Sequence, residues 1–479
     1  MEYNLTSLFP ALPEIFLLSA ACVVLIVDLF LSERTRLLTY GLTLASLLGT
    51  IAVTIWVGSA ETEVLFHGSY IRDPLSDMLK VSLLVVSMFA MVYAKDYLVQ
   101  QNIYRGEYFL LALFAVLGMM VMSSAYNFLT VYLGLELLAL SMYTLVAIDR
   151  KSEKGSEAAM KYFVLGALAS GMLLYGISMM YGATGAISFP DVAAAISSGN
   201  VDQTILVFGL VFVVIGVAFK FGAVPFHMWV PDVYHGAPTA VTLFLGSAPK
   251  IAAFALAIRL LVDGMSPLAS HWQDMLIILA VLSMAIGNLI AIAQDNIKRM
   301  FAYSTISHVG FIFLGILSAT EKGYSAALFY TVVYALTAAG GFGVLAMLSR
   351  RGFDAENISD LRGLNERSPW IAAMMMLIIF SMAGVPPTVG FFAKLFVLEA
   401  VVSIDMVWLA GIAVFFSIIG AYYYLRVVKT MYFDKPTENG AFEISTDSHI
   451  ALSLNGLSML ALGIFPAGLL AACRAAFGS

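Results

Sequence analysis

Apolar runs of about 20 residues follow one another along the whole chain, and that is the length a helix needs to cross the hydrocarbon of a bilayer. Counting runs bounded by polar or Pro/Gly clusters gives about 14 spans. The chain has 479 residues, 61% of them hydrophobic and 12% charged, with a mean hydropathy of +0.91. Backbone groups in hydrocarbon must pair within the protein, and unbroken runs with almost no period-two alternation favour helices over a barrel. The fold class is therefore all-α and integral to the membrane. Connecting loops of at most about 20 residues leave no room for a soluble catalytic domain, so the chemistry takes place within the membrane. The net charge is only -6 and no basic patch suggests nucleic acid. Cys22 and Cys473 stand at opposite ends. Two thiolates are too few for an iron-sulfur cluster or zinc site, so no metal or cofactor ligand is expected in this chain. The opening Met1-Glu2-Tyr3-Asn4 has no positive n-region, and the first run reads as a retained helix rather than a signal peptide.

Two of these spans carry a lysine beside a proline. The run from 203 to 234 contains Phe219-Lys220-Phe221-Gly222-Ala223-Val224-Pro225-Phe226-His227. Pro225 cannot donate a backbone hydrogen bond and clashes with the preceding turn, so the helix should break next to Lys220. The run from 369 to 402 contains Ala383-Gly384-Val385-Pro386-Pro387 with Lys394 a few turns on. Interrupted helices beside an ionisable group are the usual build of ion sites in membrane transport. The breaks fall in the seventh and twelfth spans, an odd separation, so two five-helix units would insert upside down relative to one another. That divides the chain into three N-terminal helices (1–104), a first five-helix repeat (105–262), an inverted second repeat (263–432) and a C-terminal helix (433–479). The internal similarity matches Gly222-Ala223-Val224-Pro225 to Ala383-Gly384-Val385-Pro386.

Other charges also fall inside spans: Glu136, Lys161 and Lys250, with Glu136 and Lys250 almost central. A central charge costs roughly 2.5 to 3.5 kcal/mol on the insertion scale, so these groups should face one another or water. His227 and His308 add groups that titrate near neutral pH, although a hydrogen-bonded packing role suits a single histidine better. Tyr303, Ser304, Thr305 and Ser307 could hold waters. Blander readings suit Lys80, Asp77 and Arg259, which lie near span ends and should snorkel toward the headgroups. Asp28 reads as interfacial and Glu399 lies near an outer end. Gly340-Gly341-Phe342-Gly343 follows no strand, so close helix packing explains it better than dinucleotide binding.

Lysine and arginine counts in alternate loops set the orientation. One side holds most of them, including Arg34, Arg36, Arg150, Lys151, Arg350 and Arg351, and the other only Arg72, Lys322 and Arg474. That asymmetry places both termini on the outer side.

Three motifs carry a resemblance over nearly the whole chain. They are Lys220 with Pro225-Phe226-His227-Met228-Trp229-Val230-Pro231-Asp232-Val233-Tyr234-His235-Gly236-Ala237-Pro238; Gln294-Asp295-Asn296-Ile297-Lys298-Arg299 with Tyr303-Ser304-Thr305-Ile306-Ser307-His308; and Gly384-Val385-Pro386-Pro387 with Gly390-Phe391 and Lys394. The chain resembles the antiporter-like membrane subunits of proton-pumping NADH:quinone oxidoreductase, respiratory complex I, most of all their subunit N branch (mitochondrial subunit 2 type). The resemblance implies a proton relay in which Glu136 modulates Lys220, Lys161 lies near that glutamate, Lys250 is central, and Lys394 leads outward. It also implies a bacterial inner-membrane location and neighbouring membrane subunits, antiporter-like ones and lipids among them. NADH, FMN, iron-sulfur clusters and quinone would belong to partner subunits. A subunit of a multisubunit sodium/proton antiporter is the alternative, since that group shares the fold and similar motifs.

Overall fold

The computed structural model describes residues 5–32, 35–436 and 444–478; residues 1–4 and Arg34, both used above, lie outside the described residues. The described chain is helical apart from one antiparallel hairpin, Glu63–Leu65 with Tyr70–Arg72. Many helices start on a side-chain cap at a polar loop. Asp73 and Ser76 form a capping box, and Asn127, Asp202, Asn296 and Thr320 each accept from a first-turn N–H, which satisfies donors that would otherwise be orphaned.

Among the described residues twelve helices are individually long and apolar enough to cross a membrane, or thirteen if Thr446–Ile464 and Pro466–Ala475 form one span. Those two meet at 84°, so the single C-terminal helix expected within 433–479 is bent at Pro466. Pro369–Ala383 and Val389–Val402 have 15 and 14 residues. At about 1.5 Å per residue neither alone covers the roughly 30 Å of hydrocarbon. The expected break is therefore present at 384–388. The seventh run breaks as well: Gln203–Phe221 stops at Gly222, and a separate eight-residue helix, Trp229–Gly236, follows.

The two stops match closely. Gly222 and Gly384 both take the left-handed region, with φ of +78° and +82°, which glycine enters freely. The next N–H bonds back five residues in each, Ala223 to Ala218 O at 2.8 Å and Val385 to Phe380 O at 2.9 Å. Gly222 thus corresponds to Gly384 and not to Ala383, a one-residue correction to the sequence match. A third interruption was not expected. Thr239–Gly246 and Ala248–Ala257 are hinged at Ser247, and the helix then widens into a π turn, Ile258–Gly264. Pro249, which lacks an N–H, opens its second half.

Burial ranks the helices. The most apolar stretch of Thr239–Gly264 is 100% buried, and those of Ile297–Leu317 and Glu321–Leu348 are 94% buried, against 28% for Leu8–Leu29. The helix carrying Lys250 is the axis of the bundle. In the glycine run, a Cβ at Gly340 would meet Ile378 and Asn455, and one at Gly343 would strike the Tyr93 ring, so these glycines serve close helix packing.

Two charges read as snorkelling are instead buried. Lys80 is 0% exposed, with its Nζ 2.7 Å from Glu14 Oε1. It donates to the Tyr70 hydroxyl at 2.9 Å, which donates to Glu14 Oε2 at 2.9 Å. Arg259 donates to both carboxylate oxygens of Asp73 at 2.7 and 2.9 Å, to Asp263 at 2.8 Å and to Ser123 O at 3.0 Å. Burial alone would raise the Asp73 carboxyl, but the Arg259 guanidinium and its hydrogen bonds hold it below the usual range. The physical reason differs for the two: the hairpin supplies Tyr70 directly over Lys80, and Arg259 is enclosed by Asp73, the helix cap just after the hairpin, together with Asp263 and Ser123. Asp77 lies 3.4 Å from Arg72, Glu399 lies 3.6 Å from Lys322, and Asp28 accepts from Thr39 at 2.5 Å.

Removing one partner of a buried ion pair leaves an uncompensated charge, at about 3–5 kcal/mol. Glu14→Gln should therefore lower the melting temperature of the assembled complex, and the double change Glu14→Leu with Lys80→Met should recover most of it. Melting curves of the purified complex check both.

Candidate functional site

The site begins where the broken helix Gln203–Phe221 ends. Lys220 projects into a cavity of about 20 Å³ lined by Glu136, Tyr143, Tyr162, Ser170 and Trp229, a space that holds about one water molecule. Lys220 Nζ makes no hydrogen bond or ion pair with a described residue, and Glu136 is the carboxylate acting on it electrostatically. The Ser170 hydroxyl donates to Glu136 and lies 3.1 Å from the Tyr132 hydroxyl. An amine without a direct partner among the described residues thus shares a pocket large enough for about one water with a carboxylate.

Lys250 sits three residues past the Ser247 hinge and is 2% exposed. Its Nζ donates to Phe221 O at 2.9 Å, the carbonyl freed where the preceding helix stops, and lies 5.6 Å from the centre of the Trp229 ring. Lys220 acts on it electrostatically. Lys394 repeats the arrangement at the other break. Its Nζ donates to Ala383 O at 2.8 Å, the carbonyl just before Gly384, and to Ser417 Oγ at 2.8 Å, and lies 5.3 Å from the Phe311 ring centre.

Between the two lysines lies a network of hydroxyls around His308. One ring nitrogen is 2.7 Å from the Tyr330 hydroxyl and the other 2.9 Å from that of Tyr424. Tyr424 is 2.5 Å from Ser304 Oγ, and the Tyr334 hydroxyl donates to Thr305 at 2.7 Å. Ser307 accepts from Asn288 at 2.8 Å, which in turn accepts from Tyr423 at 3.1 Å. A cavity of about 10 Å³ joins His308, Tyr330 and Tyr334 to Ser381 and Gly390. Lys394 acts electrostatically on His308. Toward Lys250 the network gives way to rings: Phe221 and Phe313 meet edge to face at 5.0 Å, and the buried Tyr234 hydroxyl has no hydrogen bond of good geometry among the described residues.

Glu136, Lys220 and Lys250 are thus linked electrostatically in one buried group, and His308 and Lys394 in a second. Lys161 joins neither. It is half-exposed and pairs with Glu157 at 2.8 Å and Asp232 at 2.9 Å, because it lies only nine residues into a 32-residue helix, well before Ser170 and the Glu136 pocket. His227 lies in the loop of the first break, with its buried Nδ1 unpartnered among the described residues, and is not brought to the lysines. Residues not singled out from sequence are Trp229, Asp232, Tyr330, Tyr334 and Tyr424. Asp232 also accepts from Arg299 at 2.9 Å. Neutral hydroxyls and rings in apolar runs gave no signal, whereas Asp232 stood in plain view within a motif. Among the described residues no group of three or more His, Cys, Asp or Glu converges to hold a metal.

Residues 125–420 match the family model described as NADH:quinone oxidoreductase/Mrp antiporter, transmembrane. The chain is 59% identical over 467 residues to NADH-quinone oxidoreductase subunit N of Thioalkalivibrio sulfidiphilus, covering 97% of each, and 56% identical over 479 residues to that of Thiobacillus denitrificans, covering 100% of this chain and 99% of the relative. In fold it is similar to a chain of respiratory complex I from Thermus thermophilus with bound aureothin, at 29% identity and a TM-score of 0.83, covering 97% and 99% of the two chains. A chain of the Mrp complex from Dietzia, at 21% identity and a TM-score of 0.85, covering 99% and 97%, shares the fold alone.

Proposed function

The chain belongs to the NADH:quinone oxidoreductase/Mrp antiporter family as an antiporter-like membrane subunit of the subunit N kind, and on that premise we propose that it moves protons along the line from Lys220 through Lys250 and His308 to Lys394. The observation that carries this reading is Lys220, an amine without a direct partner, sharing a one-water cavity with Glu136. Desolvation disfavours the charged form of a buried amine and a nearby carboxylate favours it. Moving Glu136 toward or away from Lys220 therefore changes how firmly the amine holds its proton. Each proton moved against 100 mV requires about 2.3 kcal/mol, which a change of roughly two pKa units at 1.36 kcal/mol each supplies.

Protons are taken up from the inner side toward Lys220, pass to Lys250, cross the Tyr234 region on water, and reach Lys394 through the His308 hydroxyls. Lys161 and Asp232 stand on the inner approach. The redox reaction belongs to other subunits, which hold NADH, FMN, the iron-sulfur clusters and quinone, and act on Glu136 through neighbouring antiporter-like subunits. The chain lies among lipids in the bacterial inner membrane with both termini outside. The two five-helix units, 105–262 and 263–432, form an inverted pair that sets one break at each end of the relay.

Lys220→Ala and Glu136→Ala should each reduce proton pumping in vesicles while the complex still assembles; normal pumping in either removes it from the relay. Lys220→Arg should also fail, because a guanidinium does not deprotonate in proteins, and full pumping there would exclude lysine deprotonation. Sodium-dependent proton exchange without NADH would favour the antiporter alternative instead.

A further inference from the structure

Two amines of the proposed relay, Lys220 and Lys250, act on one another electrostatically and share one aromatic neighbour. Lys220 faces the 20 Å³ cavity, and one wall of that cavity is Trp229. The same indole lies against Lys250 Nζ, 5.6 Å from its ring centre. Trp229 thus contributes to the surroundings of both amines. It is 3% exposed and held from several sides. Its ring stacks on Tyr162 at 4.8 Å and 16°, and approaches Phe219 at 5.6 Å and Tyr234 at 6.4 Å. Its Nε1–H donates to Phe219 O at 3.0 Å. A ring in this position excludes the water that a proton would need, while its face still stabilises a cation on the Lys250 side.

Trp229 also opens the short helix Trp229–Gly236, and Asp232 lies one turn further on. Asp232 ties that helix to two others, through Lys161 at 2.9 Å and Arg299 at 2.9 Å. Eight residues make only about two helical turns, so an anchor at the fourth fixes the orientation of the first.

We propose that Trp229 is the partition between the Lys220 and Lys250 compartments of the relay, with Asp232 as the latch that holds it closed. The inference rests on the relay reading above. When the ion pairs of Asp232 loosen, the short helix turns, the indole leaves Tyr162, and water joins the two amines for one transfer. Trp229 is a positioning residue: it carries no proton itself and times the passage of one. Without it the amines stay connected, and protons taken up can run back.

The test uses the intact complex in sealed proteoliposomes, and the reading is protons moved per electron, a ratio that a smaller amount of folded enzyme does not change. Trp229→Ala should lower the ratio, Trp229→Phe, which keeps a stacking ring, should restore it, and Asp232→Asn should lower it too. Trp229→Leu, which lacks a stacking face, gives the same reading as alanine if alanine prevents assembly. Lys220→Ala is measured beside them. A lowered ratio in Lys220→Ala with a parental ratio in Trp229→Ala or Trp229→Leu overturns the partition and leaves the relay standing. Parental ratios in all of them overturn both, and a Phe variant as low as the Ala variant overturns the stacked ring as the barrier.

Discussion

A helix that stops inside a membrane leaves carbonyl oxygens without donors, and at both breaks in this chain a lysine takes one of them. Lys250 donates to Phe221 O and Lys394 to Ala383 O, each carbonyl belonging to the residue just before a left-handed glycine. Each pairing settles two costs of burial together, since the amine has no headgroup within reach and the carbonyl has no N–H. Glycine makes the stop and proline keeps the helix from resuming in register. From the backbone's point of view these lysines are structural caps. That is why they can stay in the bundle without a fixed carboxylate of their own, and a buried amine without a fixed carboxylate is the kind that can give up a proton.

Lys220 differs from the other two. It stands two residues before the glycine and caps no carbonyl there, and it shares space with Glu136 and room for about one water. The proposed relay therefore has one adjustable member at its start and two anchored members further along, with His308 and its tyrosines between them. Rings stand beside these groups: Trp229 lines the Lys220 cavity and lies against Lys250, and Phe221 meets Phe313 edge to face. Polar groups supply places for a proton, and aromatic rings keep those places apart.

Much of this was legible in the sequence because ionisable residues and prolines are conspicuous in apolar runs. Lys220, Lys250, Lys394 and Glu136 were found on that ground alone, and so were both breaks. Depth along a span was a poorer guide. Lys80 and Arg259 lie near span ends, but position along a helix does not reveal that Tyr70 of the hairpin and the helix cap Asp73 close over them. Lys161 sits in an apolar run and yet faces Asp232 near the N-terminal end of its helix. The match between the breaks slipped by one residue because neighbouring Ala, Gly, Val and Pro fit either register until the positive φ of Gly384 identifies its counterpart. The Ser247 interruption went unread although Pro249 marks it, since a proline can also open a helix without bending its path.

If a nearby acid sets how firmly a buried amine holds its proton, the protonation of Lys220 must change during turnover. Infrared difference spectra of the intact complex, turning over with and without ¹⁵N-labelled lysine, read that change directly. The account predicts a label-sensitive amine band that disappears in Lys220→Met; spectra in which parent and variant show the same label-sensitive bands would contradict it.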